Sequence, residues 1–216
     1  MELNVTRDYY DKKDYIYLKD TFTIEPNTVT VLTGCNGSGK STLLLVIKEY
    51  CRTHNIQCLS FNNITDGGDY ARSADAFHDD FITLASKACS SEGEELSMNL
   101  GKFLGTVGRT LRYANAGSKL VVLLDASDSG ASLDRIDDLK SVLHECVIPD
   151  SVSRQAETYI VVSANDFEMC QDEDCILVHT LEHTTYKTYD EYKKDILASR
   201  KHNEKRYEKI RKKKKK

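Results

Sequence analysis

Residues 28 to 41 decide the fold of this chain: Thr28-Val-Thr-Val-Leu-Thr-Gly-Cys-Asn-Gly-Ser-Gly-Lys-Ser41. The first six residues are an apolar run rich in β-branched side chains, which predicts a buried strand. The last eight fit the pattern G-x-x-x-x-G-K-S of a P-loop, and apolar residues recur at helical spacing from Lys40 to about Asn55. The stretch therefore predicts a strand, a phosphate-binding loop and a helix, in that order.

The residue types of this loop define its chemistry. Glycines let backbone N–H groups surround phosphates, and the N-terminus of the following helix adds a partial positive charge. A lysine neutralises β- and γ-phosphate charge, and a serine hydroxyl is a ligand for Mg²⁺. We therefore predict that ATP and Mg²⁺ bind here, through Gly34, Asn36, Gly37, Ser38, Gly39, Lys40, Ser41 and Thr42.

A second apolar run ends in a carboxylate. Lys119-Leu-Val-Val-Leu-Leu-Asp125 has the pattern of a buried parallel strand that carries an acid to its carboxyl end. Such an acid can hold Mg²⁺, or a water bound to it, beside the P-loop serine. Ser41 and Asp125 are thus the predicted metal ligands, although a simple strand-end acid gives the same pattern.

The rest of the chain alternates strands and helices, which is typical of an α/β sheet. We predict antiparallel strands before residue 33, strands over 56–61 and 159–163, a hairpin of 176–181 with 185–189, and helices over 71–88, 91–116, 132–147 and 190–211. Residues 62–68 are predicted to form an exposed polar loop. The predicted fold has a parallel core sheet, an N-terminal antiparallel subsheet and a charged C-terminal helix, divided into residues 1–189 and 190–216.

The charge of the chain is split. Residues 199–216 hold 11 Lys or Arg against two Glu, a local charge of +9, which leaves −13 for the rest of a chain whose formal charge is −4. An acidic body repels nucleic acid, so any contact with a phosphate backbone would come from the basic tail. The alternative is that the final RKKKKK is a solvated, disordered end.

Cysteine usage and hydropathy predict the compartment. The seven cysteines include no C-x-x-C pair, a pattern of free thiols in a reducing environment. No stretch approaches the roughly 20 apolar residues of a membrane span, and the N-terminus is too polar for a secretory signal. These features predict a cytoplasmic protein.

Two stretches carry a resemblance to a known family. Tyr17-Leu-Lys-Asp-Thr-Phe-Thr-Ile-Glu-Pro26 and Asn36-Gly-Ser-Gly-Lys-Ser-Thr42 resemble the ATP-binding-cassette family and its chromosome-maintenance-type relatives, over about residues 3 to 182. The region after the P-loop helix is too short for coiled-coil arms, so a compact head is expected. The stretch Asp125-Ala-Ser-Asp-Ser-Gly130 is also similar to that of small bacteriophage-encoded cassette proteins, which implies a bacterial host cytosol. A transporter partner is not expected, because no glutamine loop is recognisable.

The resemblance implies further site residues. Tyr10 would stack on adenine, with Tyr9 and Tyr15 as alternatives. Residues 90–94 would be a divergent signature loop, in which Ser91 and Gly93 grip the γ-phosphate of a second protomer, so that a homodimer sandwiches two ATP molecules. The same S-x-x-E residues also fit a plain helical capping box. Residues 128–134 are similar to the loop that crosses the dimer seam, although Ser132 is equally suited to cap a helix.

Two departures from the family pattern bear on catalysis. Ala126 stands where an acid normally activates the attacking water, and Ala164 or Asn165 stands where a histidine senses the γ-phosphate. Asp128 is the candidate substitute base, and Asn165 can still donate a hydrogen bond. The sequence therefore predicts slow, dimer-dependent ATP hydrolysis. The alternative is a non-hydrolysing, ATP-gated module that clamps nucleic acid or a protein partner, such as a nuclease or toxin.

Overall fold

The computed structural model describes residues 1–5, 17–66, 92–126, 128 and 131–214. Its strands are β1 (Glu2–Asn4), β2 (Thr21–Thr23), β3 (Thr28–Thr33), β4 (Gln57–Asn62), β5 (Lys119–Asp125), β6 (Glu157–Ser163), β7 (Asp174–Leu177) and β8 (Glu182–Thr184). Its helices are α1 (Lys40–Thr53), α2 (Asn63–Asp66), α3 (Glu92–Arg112), α4 (Leu133–Val142), α5 (Ile148–Ser153), α6 (Phe167–Cys170) and α7 (Tyr189–Lys214), and a π-helical segment (Leu143–Val147) joins α4 to α5. The predicted helix 71–88 lies outside the described residues.

The larger of the two described sheets has six strands in the order β4-β5-β6-β3-β7-β8. All neighbours in it are parallel except β7 and β8, which form an antiparallel hairpin. Strands β1 and β2 form a separate antiparallel pair. The predicted α/β fold, with its parallel core and N-terminal antiparallel subsheet, is confirmed.

Both faces of the core sheet are covered, which explains why its strands are continuous apolar runs. Val121 and Leu123 of β5 face a cluster that includes β1, β2 and α1. Val122 and Leu124 of the same strand face the other cluster, which includes α3, α4 and part of α7. The result is a three-layer arrangement with one core on each side of the sheet.

The prediction of an exposed loop over 62–68 is wrong for its described part. Residues 63–66 form the short helix α2, and Asn63 is buried. The Asn62 side-chain oxygen accepts a hydrogen bond from the Thr65 N–H at 3.2 Å. Asn and Thr favour turns through such local bonds, and the same bonds start helices, so composition alone did not distinguish the two.

The predicted helix 132–147 is longer and less regular in the structure. It begins at Leu133, widens into the π-helical segment and ends at Ser153. The Ile148 N–H bonds to the Leu143 carbonyl, five residues back, immediately before Pro149. A proline ring presses on the carbonyl four residues earlier, and the wider turn accommodates it, so Pro149 does not end the helix.

The predicted hairpin exists but is shorter. Strand β7 ends at Leu177 because the Thr180 and Leu181 N–H groups both turn back to the Leu177 carbonyl. Leu181 has a left-handed φ of 58°. The return strand is therefore Glu182–Thr184 rather than 185–189.

Helix α7 extends beyond the predicted 190–211 and is helical to Lys214, which contradicts a disordered end for residues 211–214. Its first turns pack on the core: Tyr192 is 6% exposed, and its ring lies 5.4 Å from that of Tyr186. The Tyr192 hydroxyl donates to the Asn165 carbonyl. The start of this helix is therefore continuous with the main core.

None of the helices in the described part of the chain is long and apolar enough to cross a membrane.

We predict that Tyr192→Ala lowers the free energy of unfolding of the whole protein by about 3–5 kcal/mol, the usual cost of removing a buried aromatic ring. Urea denaturation followed by circular dichroism measures this. The control is Leu197→Ala on the same helix, where the side chain is 47% exposed, with an expected change of about 0.5 kcal/mol or less. If both variants unfolded like the wild type, residues 190–216 would be an independent unit.

Candidate nucleotide-binding site

Three parallel strands bring the predicted site residues to one edge of the sheet. Strand β6 lies between β3 and β5, with Leu32 paired to Ser163 and Leu124 paired to Val162. The carboxyl ends of all three strands therefore lie side by side. The P-loop follows β3, Asp125 ends β5, and Asn165 follows β6.

The P-loop needs two of its glycines for steric reasons. At Gly34, with φ of 152°, a β-carbon would lie 2.6 Å from Oγ of Ser38. At Gly39, with φ of 101°, it would lie 2.8 Å from the hydroxyl oxygen of Tyr17. That hydroxyl donates a hydrogen bond to the Gly39 carbonyl at 3.0 Å, and Tyr17 is buried. Tyr17 thus fixes the end of the loop, a role that the sequence did not reveal.

Lys40 holds the loop from inside. Its Nζ donates to the carbonyls of Gly34, at 2.7 Å, and Cys35, at 3.5 Å, and to Oδ1 of Asn165, at 2.8 Å. Burial lowers the pKa of Lys40, and the charge of Asp128 is the largest of the effects that oppose this shift. An ammonium that is partly desolvated interacts strongly with a bound anion. Lys40 is therefore placed to bind phosphate.

Asp125 is oriented by hydrogen bonds from three different elements. Its Oδ1 accepts from the Ser41 hydroxyl of α1 at 3.3 Å and from the Ser163 hydroxyl of β6. Its Oδ2 accepts from the amide of Asn62 at 3.1 Å. The predicted pair of Ser41 and Asp125 is thus brought into contact. Hydroxyl and carboxylate oxygens side by side are the donor set that Mg²⁺ prefers.

Ala126 turns the chain sharply after β5. Its φ is 53°, an uncommon value for a residue other than glycine, and its N–H donates to Oγ of Ser163 at 2.9 Å. The single hydroxyl of Ser163 therefore contacts both Asp125 and Ala126. Ser163 was not predicted, since a serine at a strand end gives no signal without the sheet order.

Asp128 lies beneath the site rather than in its wall. It is buried, and its Oδ2 accepts the backbone N–H groups of Asn165 and, at 2.7 Å, Asp166. Its Oδ1 is buried and has no hydrogen-bond partner among the residues that the structure describes. Burial raises the pKa of Asp128, and the backbone hydrogen bonds oppose that shift. The contacts show that this carboxylate anchors the loop that carries Asn165.

These elements surround a cavity of about 580 Å³. A volume of this size is within the usual range of ligand sites. Its walls include the P-loop and α1 residues Asn36, Gly37, Ser38, Gly39, Lys40, Ser41 and Thr42, together with Asp125, Ala126, Ser163 and Asn165. The predicted residue Gly34 lies outside the wall and contributes the carbonyl that Lys40 contacts.

Helix α7 closes one side of this cavity. Arg206 and Tyr207 line it. Two turns earlier and one turn earlier on the same helix, Ser199 and Asn203 are buried against Cys35 of the P-loop. Neither Arg206 nor Tyr207 was predicted, because their separation of more than 160 residues from the P-loop leaves no signal in the sequence.

Some predicted residues are not tested by this geometry. Tyr9, Tyr10, Tyr15 and Ser91 lie outside the described residues. Gly93 belongs to the first turn of α3, so its backbone is helical. Ser132 immediately precedes α4, in the capping position, without a side-chain capping hydrogen bond. The adenine-stacking and signature roles stay predictions.

The fold and the site define a P-loop nucleotide-binding protein. Residues 18–109 match the family model described as ABC transporter. This match, with the fold, confirms the predicted resemblance to ATP-binding-cassette proteins and supports an ATP-binding or ATPase role. Such proteins bind ATP, normally with Mg²⁺, and their cassette domains typically dimerise. No curated protein sequence matches the chain.

The fold is similar to that of a solved structure. The ADP conformation of an ATP-binding cassette of an ABC transporter aligns with a TM-score of 0.51 and 13% identity, over 94% of this chain and 96% of that one. An ATP binding subunit of an ABC transporter aligns with a TM-score of 0.43 and 13% identity, over 83% and 92% of the two chains. The similarity to chromosome-maintenance heads and to bacteriophage proteins stays a prediction.

We predict that Asp128→Ala lowers the free energy of unfolding by about 1–3 kcal/mol, because the Asn165 and Asp166 N–H groups lose their acceptor. Asp128→Asn should cost less, since its amide oxygen can accept the same bonds. Urea denaturation at neutral pH compares the two variants. Equal losses in both would contradict the anchoring role.

A comparison of the wild type with Asp128→Asn tests the direction of the pKa shift of Asp128. Its folded-state pKa lies above the ordinary value of 3.8, so the folded protein binds more protons than the unfolded chain just above that pH. Relative to Asp128→Asn, wild-type stability should therefore fall as pH rises from about 4 through the raised pKa. Unfolding curves at a series of pH values check the sign, and a rising difference would refute it.

Proposed function

We propose that this protein binds Mg²⁺-ATP in the P-loop cavity and hydrolyses it slowly in a homodimer. The observation that carries the proposal is the cavity itself, in which Lys40, Ser41, Asp125 and Asn165 converge beside the backbone of the P-loop. Lys40 and Ser41 come from the first turn of α1, Asp125 from the end of β5 and Asn165 from the loop after β6, and all four line one cavity. This arrangement suits a ligand with a chain of phosphates.

Lys40 and the loop backbone suit the phosphate groups. The Lys40 ammonium is fixed by the Gly34 carbonyl and by Asn165, and it is partly desolvated. The N-terminus of α1 adds its partial positive charge at the same place. Binding would exchange the carbonyl contacts of Lys40 for contacts to anionic oxygens, which a cation prefers.

Ser41 and Asp125 fit a Mg²⁺ ion. Their oxygens are neighbours at 3.3 Å, and the Ser163 and Asn62 contacts hold the carboxylate in place. Bound Mg²⁺ would supply charge neutralisation to the phosphates. The chain supplies one carboxylate and one hydroxyl, which leaves the remaining positions to phosphate and water, as Mg²⁺ usually requires.

Hydrolysis is proposed to be slow because neither Asp125 nor Asp128 is placed to act as a general base. Among the described residues that line the cavity, Asp125 is the one acid, and the next residue is Ala126. Asp128, the candidate base, is occupied with the N–H groups of Asn165 and Asp166. Water in the cavity could be polarised by Asn165, which hydrogen-bonds but does not take up a proton near neutral pH.

The dimer is proposed from the family resemblance. In that arrangement Ser91 and Gly93 of one protomer would complete the phosphate site of its partner, and Tyr10 would stack on adenine. Residues 1–189 would form the nucleotide-binding unit, and residues 190–216 a charged extension. A site completed by a second copy would turn over faster as the protein concentration rises.

The second candidate function is a non-hydrolysing ATP switch. The observation that favours it is Ala126, which lines the cavity at the position where the family pattern has an acid. In this form ATP would close the protein on nucleic acid or on a protein partner, and dissociation of the nucleotide would open it. The exposed basic side chains of Lys209, Arg211 and Lys212 are the contact surface for nucleic acid in this candidate.

We expect phosphate release from Mg²⁺-ATP to be slow, below about 1 s⁻¹ per subunit, the lower end of ordinary enzyme rates. The rate per subunit should rise with protein concentration. Lys40→Ala should abolish it and weaken ATP binding, measured by calorimetry, because the phosphate charge loses its cation.

Lys48→Ala is the matched control, since Lys48 lies two turns further along α1 and contacts the Ser60 hydroxyl at 3.3 Å. It should leave both readouts unchanged. Wild-type binding without turnover above the Lys40→Ala level would favour the switch. A wild type that bound no better than Lys40→Ala would refute both candidates.

For the nucleic-acid form of the switch, we expect salt-sensitive DNA binding in the presence of ATP. The triple variant Lys209→Gln, Arg211→Gln, Lys212→Gln should lose it. Each substitution removes a cation that would neutralise a phosphate, so fewer counterions are released from the DNA on binding. Fluorescence anisotropy over a salt series measures the effect. Deleting residues 199–216 is a poorer test, since Ser199 and Asn203 contact the P-loop. Unchanged DNA affinity in the triple variant would exclude the tail as the contact.

A further inference from the structure

Helix α7 lies with one face along the P-loop. Tyr192, Ser199, Asn203 and Arg206 follow at spacings that keep them on one side of a helix, and the two middle residues are 0% and 4% exposed. The Cys35 N–H donates to Oγ of Ser199 at 3.4 Å, and the Asn203 amide donates to Sγ of Cys35 at 3.3 Å. The next turn of the helix is thereby held over the cavity.

The side chain of Arg206, on this turn of α7, reaches the cavity. It lines the same cavity as Lys40 and Ser41. Its Nε and Nη1 atoms are buried and have no hydrogen-bond partner in the described part of the chain. Buried hydrogen-bond donors without a partner are costly, and here they belong to a positively charged group, which points to an anionic ligand.

The protein itself offers no better partner in the cavity. Asp125 is the one acid among the described lining residues, and its two oxygens already accept bonds from Ser41, Ser163 and Asn62. The Cζ atom of Arg206 lies 5.2 Å from the ring centre of Tyr207, a cation–π contact that occupies no N–H donor. The Nε and Nη1 donors can therefore each form a charge-assisted hydrogen bond to a phosphate oxygen.

We propose that Arg206 is a phosphate-binding residue of the nucleotide site, supplied by the C-terminal helix of the same chain. The inference rests on the proposed nucleotide function and adds a second cation to Lys40. Ser199 and Asn203 position the helix, and Arg206 contacts the β- or γ-phosphate of a nucleoside triphosphate. The basic C-terminal helix is then part of the nucleotide site.

The test compares Arg206→Gln with Lys205→Gln, which removes one positive charge from an exposed position on the same helix. Affinities for Mg²⁺-ATP and for AMP are measured by competition against a fluorescent ATP analogue. Arg206→Gln should weaken ATP binding about 10- to 100-fold, the value of charge-assisted hydrogen bonds, and AMP binding much less. Arg206→Lys should recover part of the loss, and Lys205→Gln should match the wild type.

A second readout is amide hydrogen exchange with and without ATP. In the wild type, ATP should slow exchange over residues 199–207 as well as over the P-loop. In Arg206→Gln at saturating ATP, protection of the P-loop should persist while that of residues 199–207 is lost. Melting temperatures within about 2 °C of the wild type show that each variant is folded. If Arg206→Gln does not fold, Arg206→Lys is used for both measurements in its place.

The outcomes separate the two proposals. Binding that depends on Lys40 but is equal in Arg206→Gln and Lys205→Gln would overturn the role of Arg206 alone. Equal losses of ATP and AMP affinity would also overturn it, because they would assign Arg206 to the part that AMP shares with ATP and not to the β- and γ-phosphates. Wild-type protein that does not bind ATP better than Lys40→Ala would overturn the proposed function and, with it, this inference.

Discussion

The parallel pairing of β3, β6 and β5 is the constraint on which the rest of the site depends. Because β6 lies in the middle, the Ser163 hydroxyl at its end can bond to both Asp125 and the Ala126 N–H of the neighbouring strand. On its other side, the parallel register between β6 and β3 places the start of the P-loop next to the end of β6. Shifting one of these strands by a residue would turn Asp125 to the other face of the sheet and break its contact with Ser41.

The electrostatics of the site follow from this geometry. Backbone carbonyls, the Asn165 amide oxygen and the nearby charge of Asp128 balance the partly buried ammonium of Lys40. The cavity is thus lined by a cation from α1, another from α7 and one oriented carboxylate. A body with a charge of −13 would repel a free nucleotide at long range, so local positive charge must supply the attraction.

The acids of the site separate binding from turnover. Asp125 is placed for a metal, and Asp128 is placed for the backbone of the next loop, so neither is free to remove a proton from water. Lys40, Ser41 and the P-loop backbone line one cavity. The proposed binding of nucleotide rests on this geometry, whereas the proposed hydrolysis would also need groups from a second protomer or a bound water.

The sequence by itself determined the elements and the local site. The apolar runs 28–33 and 119–125 and the P-loop between β3 and α1 are local patterns, because the periodicity of a strand or helix and the glycines of a loop are set by neighbouring residues. Only the tertiary structure decided that Ser163 orients Asp125, that Asp128 anchors a loop and that α7 brings Arg206 to the P-loop. These contacts join residues far apart in the chain, where strand order and helix packing, rather than spacing in the sequence, set the distance.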